Sequence, residues 1–139
     1  MEVVVDASVV AAALMPGDPD LLERLGGMRC HAPHLVDAEV GQVLRRAVAV
    51  GKMTTRTAEA ALYALQSLVG DRYPHGNLAA GAWRLREHLT YHDALYVALA
   101  ARLGYPLLTA DARLARAPGL PCAVELVSPP SASASSRSS

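Results

Sequence analysis

The chain has 139 residues, is 52% hydrophobic and carries no formal net charge, which suits one buried core and leaves too little chain for two domains. Cys30 and Cys122 match no zinc spacing and exclude a disulfide scaffold, so both read as buried free thiols. The start, MEVVVDASVV, lacks a basic leader and the apolar stretch 94–101 is too short to span a bilayer, so a cytoplasmic domain without membrane contact is expected.

Residues 2–5 are an apolar, β-branched run that reads as a buried strand, passing through Asp6-Ala7-Ser8 into an alanine-rich helix to Leu14. Pro16, Gly17 and Pro19 break it, with a short helix at Leu21 to Leu25 and a strand at Arg29 to Ala32. Two longer helices fit about 34–50 and 55–69, parted by Gly51; a connection with room for a brief strand follows at 70–76, then a helix at about 78–88. The segment 92–103 is apolar on nearly every face and ends at Gly104, which predicts a buried helix. Leu107–Thr109 reads as a second interior strand closed by Asp111 and a short helix, and Cys122 to Val127 as the last strand. Residues 1–127 therefore form the domain, and 128–139, SPPSASASSRSS, have nothing apolar to pack and are expected to be a disordered tail.

Strands alternating with helices imply a parallel or mostly parallel sheet with helices on both faces, whose sites lie at the carboxyl ends of the strands. Two strands end in aspartate, VVVD6 and PLLTAD111, so both side chains open onto the same edge. Each has an ordinary alternative as a helix N-cap, and Thr90-x-x-Asp93 resembles a capping box. Glu39 resists that reading because it lies inside a helix on the border of the apolar stripe, between Leu35 and Val43 at i−4 and i+4. Asp37 points about 160° away from Glu39 around the helix and is assigned to solvent. Asp93 is followed by Tyr96, Val97 and Ala100 on its own face, so it too is expected to be half-buried.

Two unit charges about 4 Å apart repel by about 4 kcal/mol at an effective dielectric near about 20. Asp6, Glu39, Asp93 and Asp111 brought together would need protons or a divalent cation, and oxygen-only ligation favours Mg²⁺ or Mn²⁺ over zinc. Ser8 and Thr109 would place hydroxyls beside the acids, with capping as the plain alternative to orienting them. The five histidines show no paired metal spacing and read mostly as surface or capping residues, with His92 beside Asp93 the one near substrate. The neutral charge argues at first against a polyanionic partner. A cation held by the acids would offset part of the negative charge, however, and twelve of the thirteen basic residues are arginine, the better phosphate fork. Arg46, two turns beyond Glu39 on nearly the same stripe, is a candidate for a phosphate contact in the groove, with Arg86 and Arg113 as weaker ones and a solvated surface role as the alternative for all three.

These residues carry a pattern. VVVDASVV, APHLVDAEVGQVLRR around Glu39, and LTYHDALYVALAARLGYPLLTADARLARA around Asp93 and Asp111 resemble the PIN-domain ribonucleases, most closely the VapC toxins of bacterial type II toxin–antitoxin pairs, over essentially all of residues 2–127. The resemblance implies a three-layer α/β/α fold with a central parallel sheet and an active site of Asp6, Glu39, Asp93 and Asp111. It also implies a homodimer and a VapB-type antitoxin lying across the active-site groove. The implied activity is Mg²⁺-dependent hydrolysis of RNA, of the tRNA or rRNA class, leaving a 5′-phosphate and a 3′-hydroxyl.

Rival readings fit less well. A receiver-type phosphoacceptor wants paired early acids and a lysine opposite, and the only lysine is Lys52 at a helix junction. A haloacid-dehalogenase-like phosphatase wants DxD after its first strand, where this chain has Ser8. The non-enzymatic alternative is a degenerate PIN-like module that binds RNA or protein without cutting, which would be expected to lack one or more of the acids.

Overall fold

The structure, a computed structural model, describes residues 1–16 and 18–128, so the expected tail lies outside it from residue 129 onward. Five strands form one sheet: β1 (Glu2–Val5), β2 (Arg29–Pro33), β3 (Asp71–Tyr73), β4 (Leu107–Thr109) and β5 (Val124–Leu126). Their order is β3-β2-β1-β4-β5 and every neighbouring pair is parallel. Val3, Val4, Val5, Leu107 and Leu108 are shielded from solvent, as central strands covered on both faces require.

Among the described residues, seven α-helices connect and cover the strands: α1 (Ala7–Leu14), α2 (Pro19–Gly26), α3 (Leu35–Ala49), α4 (Thr55–Leu68), α5 (Ala79–Arg84), α6 (Tyr91–Leu103) and α7 (Ala112–Ala115). α1 packs with α2, α3 and α4, whereas α6 lies on β1, β2 and β4 and carries α5, which gives the three-layer α/β/α arrangement. α6 has buried residues at every position from Ala94 to Ala100, the reason its sequence is apolar all round. Gly104, at φ 73°, ends it in the left-handed conformation that a side chain would strain.

The chain runs from β1 outward to β2 and β3, then returns to lay β4 and β5 on the other side of β1. The reversal falls between β1 and β4. A crevice opens outside the carboxyl ends of a parallel sheet at such a point, so the fold itself selects the edge where Asp6 and Asp111 sit.

Three boundaries differ from the sequence reading. α2 begins at Pro19, because proline is tolerated at the first helical position and Asp18 caps the helix by accepting from the Leu21 N–H at 3.1 Å. The helix expected at 78–88 is α-helical only over Ala79–Arg84. Beyond it, Leu85, Arg86 and His88 bond three residues back, a tighter winding that turns Leu85 and Leu89 into the core. The last strand is confined to Val124–Leu126.

Candidate active site

Asp6 follows β1 and is 4% exposed. Its Oδ1 accepts from the Val9 N–H at 3.0 Å, capping α1, and from the Ser8 hydroxyl at 2.6 Å. Its Oδ2 accepts from the hydroxyl of Thr109, the last residue of β4. Ser8 in turn accepts from the Ala110 N–H at 2.9 Å, and Thr109 accepts from the Asp111 N–H at 3.0 Å. The two hydroxyls therefore bind the ends of β1 and β4 together and hold the Asp6 carboxylate between them.

Asp111 caps α7 with one oxygen, accepting from the Arg113 N–H at 2.9 Å. Asp93 lies in the first turn of α6, its own N–H given to the Thr90 side chain at 3.2 Å, and is half-buried. The capping expectation is met at Asp111, whereas of the box at Thr90 and Asp93 only the half in which the Thr90 side chain accepts from the Asp93 N–H is formed. Glu39 projects from the middle of α3, beside its buried stripe of Val36, Val40 and Leu44. Its Oε1 accepts from the Tyr96 hydroxyl at 2.6 Å, and its Oε2 lies 3.7 Å from Nδ1 of His92.

The electrostatics tie the acids together. Burial pushes the Asp6 carboxyl above the ordinary aspartate range, and the charge of Asp93 adds to that; its hydrogen bonds work in the opposite direction. Asp93 is raised too, first by burial and then by Asp111, with Thr90, Arg113 and His92 opposing. The Tyr96 phenol is driven far above its usual value by burial and by Glu39, Asp6 and Asp93, so it remains a neutral donor. Two strand-end acids and two helix acids thus share one neighbourhood, satisfied mainly by hydroxyl and N–H donors. An open pocket of about 230 Å³ borders it, lined by His88, Leu89, Thr90, Asp93, Asp111, Arg113 and Leu114.

The donor chemistry fits Mg²⁺ in type: all oxygen, with a buried Asp6 and a half-buried Asp93 whose ionisation a cation would favour. Among the described residues, no three His, Cys, Asp or Glu side chains are arranged as a ready-made metal cage. Mg²⁺ does not demand one, since it keeps several waters and is commonly held by one or two carboxylates.

Other expectations meet varied outcomes. Asp37, assigned to solvent, is instead clasped by Arg72 through two bonds of 2.6 and 2.9 Å, while the same guanidinium caps the carbonyls of Leu65 and Val69. No periodic spacing marks this pair in the sequence, because 35 residues separate them. His75 is a cap, its Nε2 accepting from the Leu35 N–H at 3.0 Å, but His31 is buried at 5% exposure and not on the surface. Of the arginines, Arg113 borders the pocket, Arg86 stacks on the exposed Trp83 ring at 5.0 Å, and Arg46 is exposed on α3. Cys30 and Cys122 are both free thiols; Cys30 is buried as expected, but Cys122, beside the short last strand, is only half-buried. No helix among the described residues is long and apolar enough to cross a membrane.

Fold and site together define an α/β domain with an acid-lined edge at the reversal of its parallel sheet. The PIN domain family matches residues 3–120, and the chain belongs to that family. It is 49% identical over 130 residues to Ribonuclease VapC1 of Mycobacterium tuberculosis, covering 91% of this chain and 98% of that protein. Among solved structures it is similar to PAE2754 from Pyrobaculum aerophilum, with a TM-score of 0.65, 22% identity and coverage of 89% of this chain and 83% of that one. It is also similar to VapBC-5, a member of the VapBC family of toxin–antitoxin systems from Mycobacterium tuberculosis, with a TM-score of 0.53, 23% identity and coverage of 91% and 98%. At those identities the two structures bear on the fold alone.

Proposed function

We propose that this chain is a Mg²⁺-dependent endoribonuclease and the toxin of a toxin–antitoxin pair. The observation that carries the reading is Asp6 and Asp111 at the sheet's reversal point with Asp93 and, through the Tyr96 phenol, Glu39 beside them, Asp6 being raised by burial and by Asp93, and Asp93 by burial and by Asp111. The likeness to a ribonuclease at 49% identity supports the choice of RNA. Asp6, Glu39, Asp93 and Asp111 hold the ion, Mg²⁺ or Mn²⁺. When bound it supplies Lewis acidity and an activated water for in-line attack on a phosphodiester.

The chain's own residues do the positioning. Ser8 and Thr109 fix both oxygens of Asp6, while Asp111 spends one oxygen on its cap and leaves the other for the site. Arg113, at the mouth of the pocket, contacts the RNA backbone, with Arg46 and Arg86 as outlying contacts. A single-stranded loop of a tRNA or rRNA is the substrate class that presents an accessible phosphodiester and readable bases. The antitoxin, of VapB type, follows from the resemblance to the VapC toxins and is supported by apolar surface at Val43, Val50, Leu62 and Tyr63, the last 82% exposed. A homodimer in the cytoplasm completes the reading.

The test is direct. The purified chain, freed of any partner, should cut RNA to 5′-phosphate and 3′-hydroxyl ends in Mg²⁺ or Mn²⁺ and fall silent in EDTA. Cleavage that persists in chelator would remove the metal site from the reading.

A further inference from the structure

Tyr96 is the one fully buried tyrosine of α6, at 1% exposure, and stands one turn beyond Asp93. Its ring is enclosed in the core with Leu95 and Leu99, where phenylalanine would fill the space equally well. Packing therefore explains the ring and leaves the hydroxyl unexplained. That hydroxyl reaches across to α3 and donates to Oε1 of Glu39 at 2.6 Å, over 57 residues of sequence. Among the described residues it is the only hydrogen-bond donor to Glu39, since the His92 ring at 3.7 Å is beyond hydrogen-bond length.

We propose that Tyr96 is a positioning residue of the site, its buried hydroxyl fixing the Glu39 carboxylate so that Oε2 is presented to the divalent cation. The inference rests on the four-acid reading above. Glu39 has a long side chain on an open helix face, 27% exposed, and without a donor its carboxylate would sample several rotamers. A phenol anchored in the core removes that freedom. It carries a single proton, so it binds one oxygen and leaves the other available. The charges of Asp6 and Asp93 act on the phenol as well as that of Glu39.

The experiment measures Mn²⁺ binding to the RNA-free chain by calorimetry and by Mn²⁺ electron paramagnetic resonance, for wild type, Tyr96→Phe, Glu39→Gln and the double variant. Loss of a partner that orients a metal ligand typically costs about 10–100-fold in affinity, so Tyr96→Phe should weaken Mn²⁺ binding within that range. It should add nothing in the Glu39→Gln background, because the hydroxyl acts through that carboxylate. With RNA, kcat should fall while KM for RNA stays unchanged. Both single variants should melt within a few degrees of wild type, and a Tyr96→Phe chain that melts far below it would make the hydroxyl's role structural and overturn the proposal. Wild-type affinity in Tyr96→Phe, with weakened binding in Glu39→Gln, would overturn the Tyr96 role alone. Unchanged binding in Glu39→Gln would instead bring down the four-acid reading.

Discussion

The two ends of the sheet treat their acids in opposite ways. Toward the amino ends of the strands, Glu2 meets His31 at 2.6 Å, Asp71 meets Arg29 at 3.1 Å and lies 3.7 Å from His31, and the other ring nitrogen of His31 reaches the Tyr73 hydroxyl at 2.8 Å. Each acid there has a basic neighbour. At the carboxyl edge, Asp6, Asp93 and Asp111 have no salt-bridge partner among the described residues, and Glu39 has only His92 at 3.7 Å. Burying a charge without a counter-charge is costly, and a fold under selection for stability alone would pair or remove such groups. The amino end is built to hold together, whereas the carboxyl edge keeps an electrostatic deficit that a divalent cation would fill.

Substitutions at the two ends should separate these roles. Asp93→Asn should lower RNA cleavage by more than about 100-fold, the upper end of what losing even a supporting partner of a metal site costs. Its melting temperature in EDTA should equal or exceed that of wild type, as read by calorimetry. A variant that is both inactive and much less stable would erase the contrast. His31→Phe should do the reverse, costing about 1–3 kcal/mol by leaving Glu2 and Tyr73 without their buried partner, yet cutting RNA at the wild-type rate once folded. Urea denaturation and a cleavage assay on the same preparation check both halves.

The smallest effect is a pH dependence. Asp93 in the folded chain is raised from an ordinary value of 3.8. The folded state therefore holds its proton more tightly than the unfolded chain, and this group's contribution to stability falls as pH rises from that value through the raised one. The stability advantage of Asp93→Asn over wild type in EDTA should accordingly grow with pH across this window. Excess Mg²⁺ should reverse the order, because the ion binds the folded wild type. An advantage that stays flat with pH would mean that Asp93 is not electrostatically strained.

The strand ends were the most legible part of the sequence. VVVD6 and PLLTAD111 each combine a buried run with a terminal acid, and a parallel sheet leaves such residues only one edge to occupy. Glu39 was legible as a charge on the border of an apolar stripe. What joins these acids was not. Neither the Tyr96 bond nor the Arg72 clasp on Asp37 leaves a periodic trace, because each is a contact between elements whose spacing only the folded chain sets. The same holds for His31, whose burial comes from strands on either side of β2 and not from its own neighbours in sequence. The missed end of α5 has a local cause: 78–88 has the composition of a helix, and its winding is tightened by the demand that Leu85 and Leu89 both reach the core.

Asp6 and Asp111 each cap a helix as well as facing the site, and this has an evolutionary consequence. Asparagine and serine cap helices about as well as aspartate. Replacing Asp111 by one of them would remove a negative charge from the edge while leaving the helix start, the core and the surface largely as they are. On the proposed mechanism, one such substitution would turn a cutting chain into a folded, non-cutting one that keeps its binding surfaces. Inert relatives that still recognise the same partners are therefore close neighbours of this protein in sequence space.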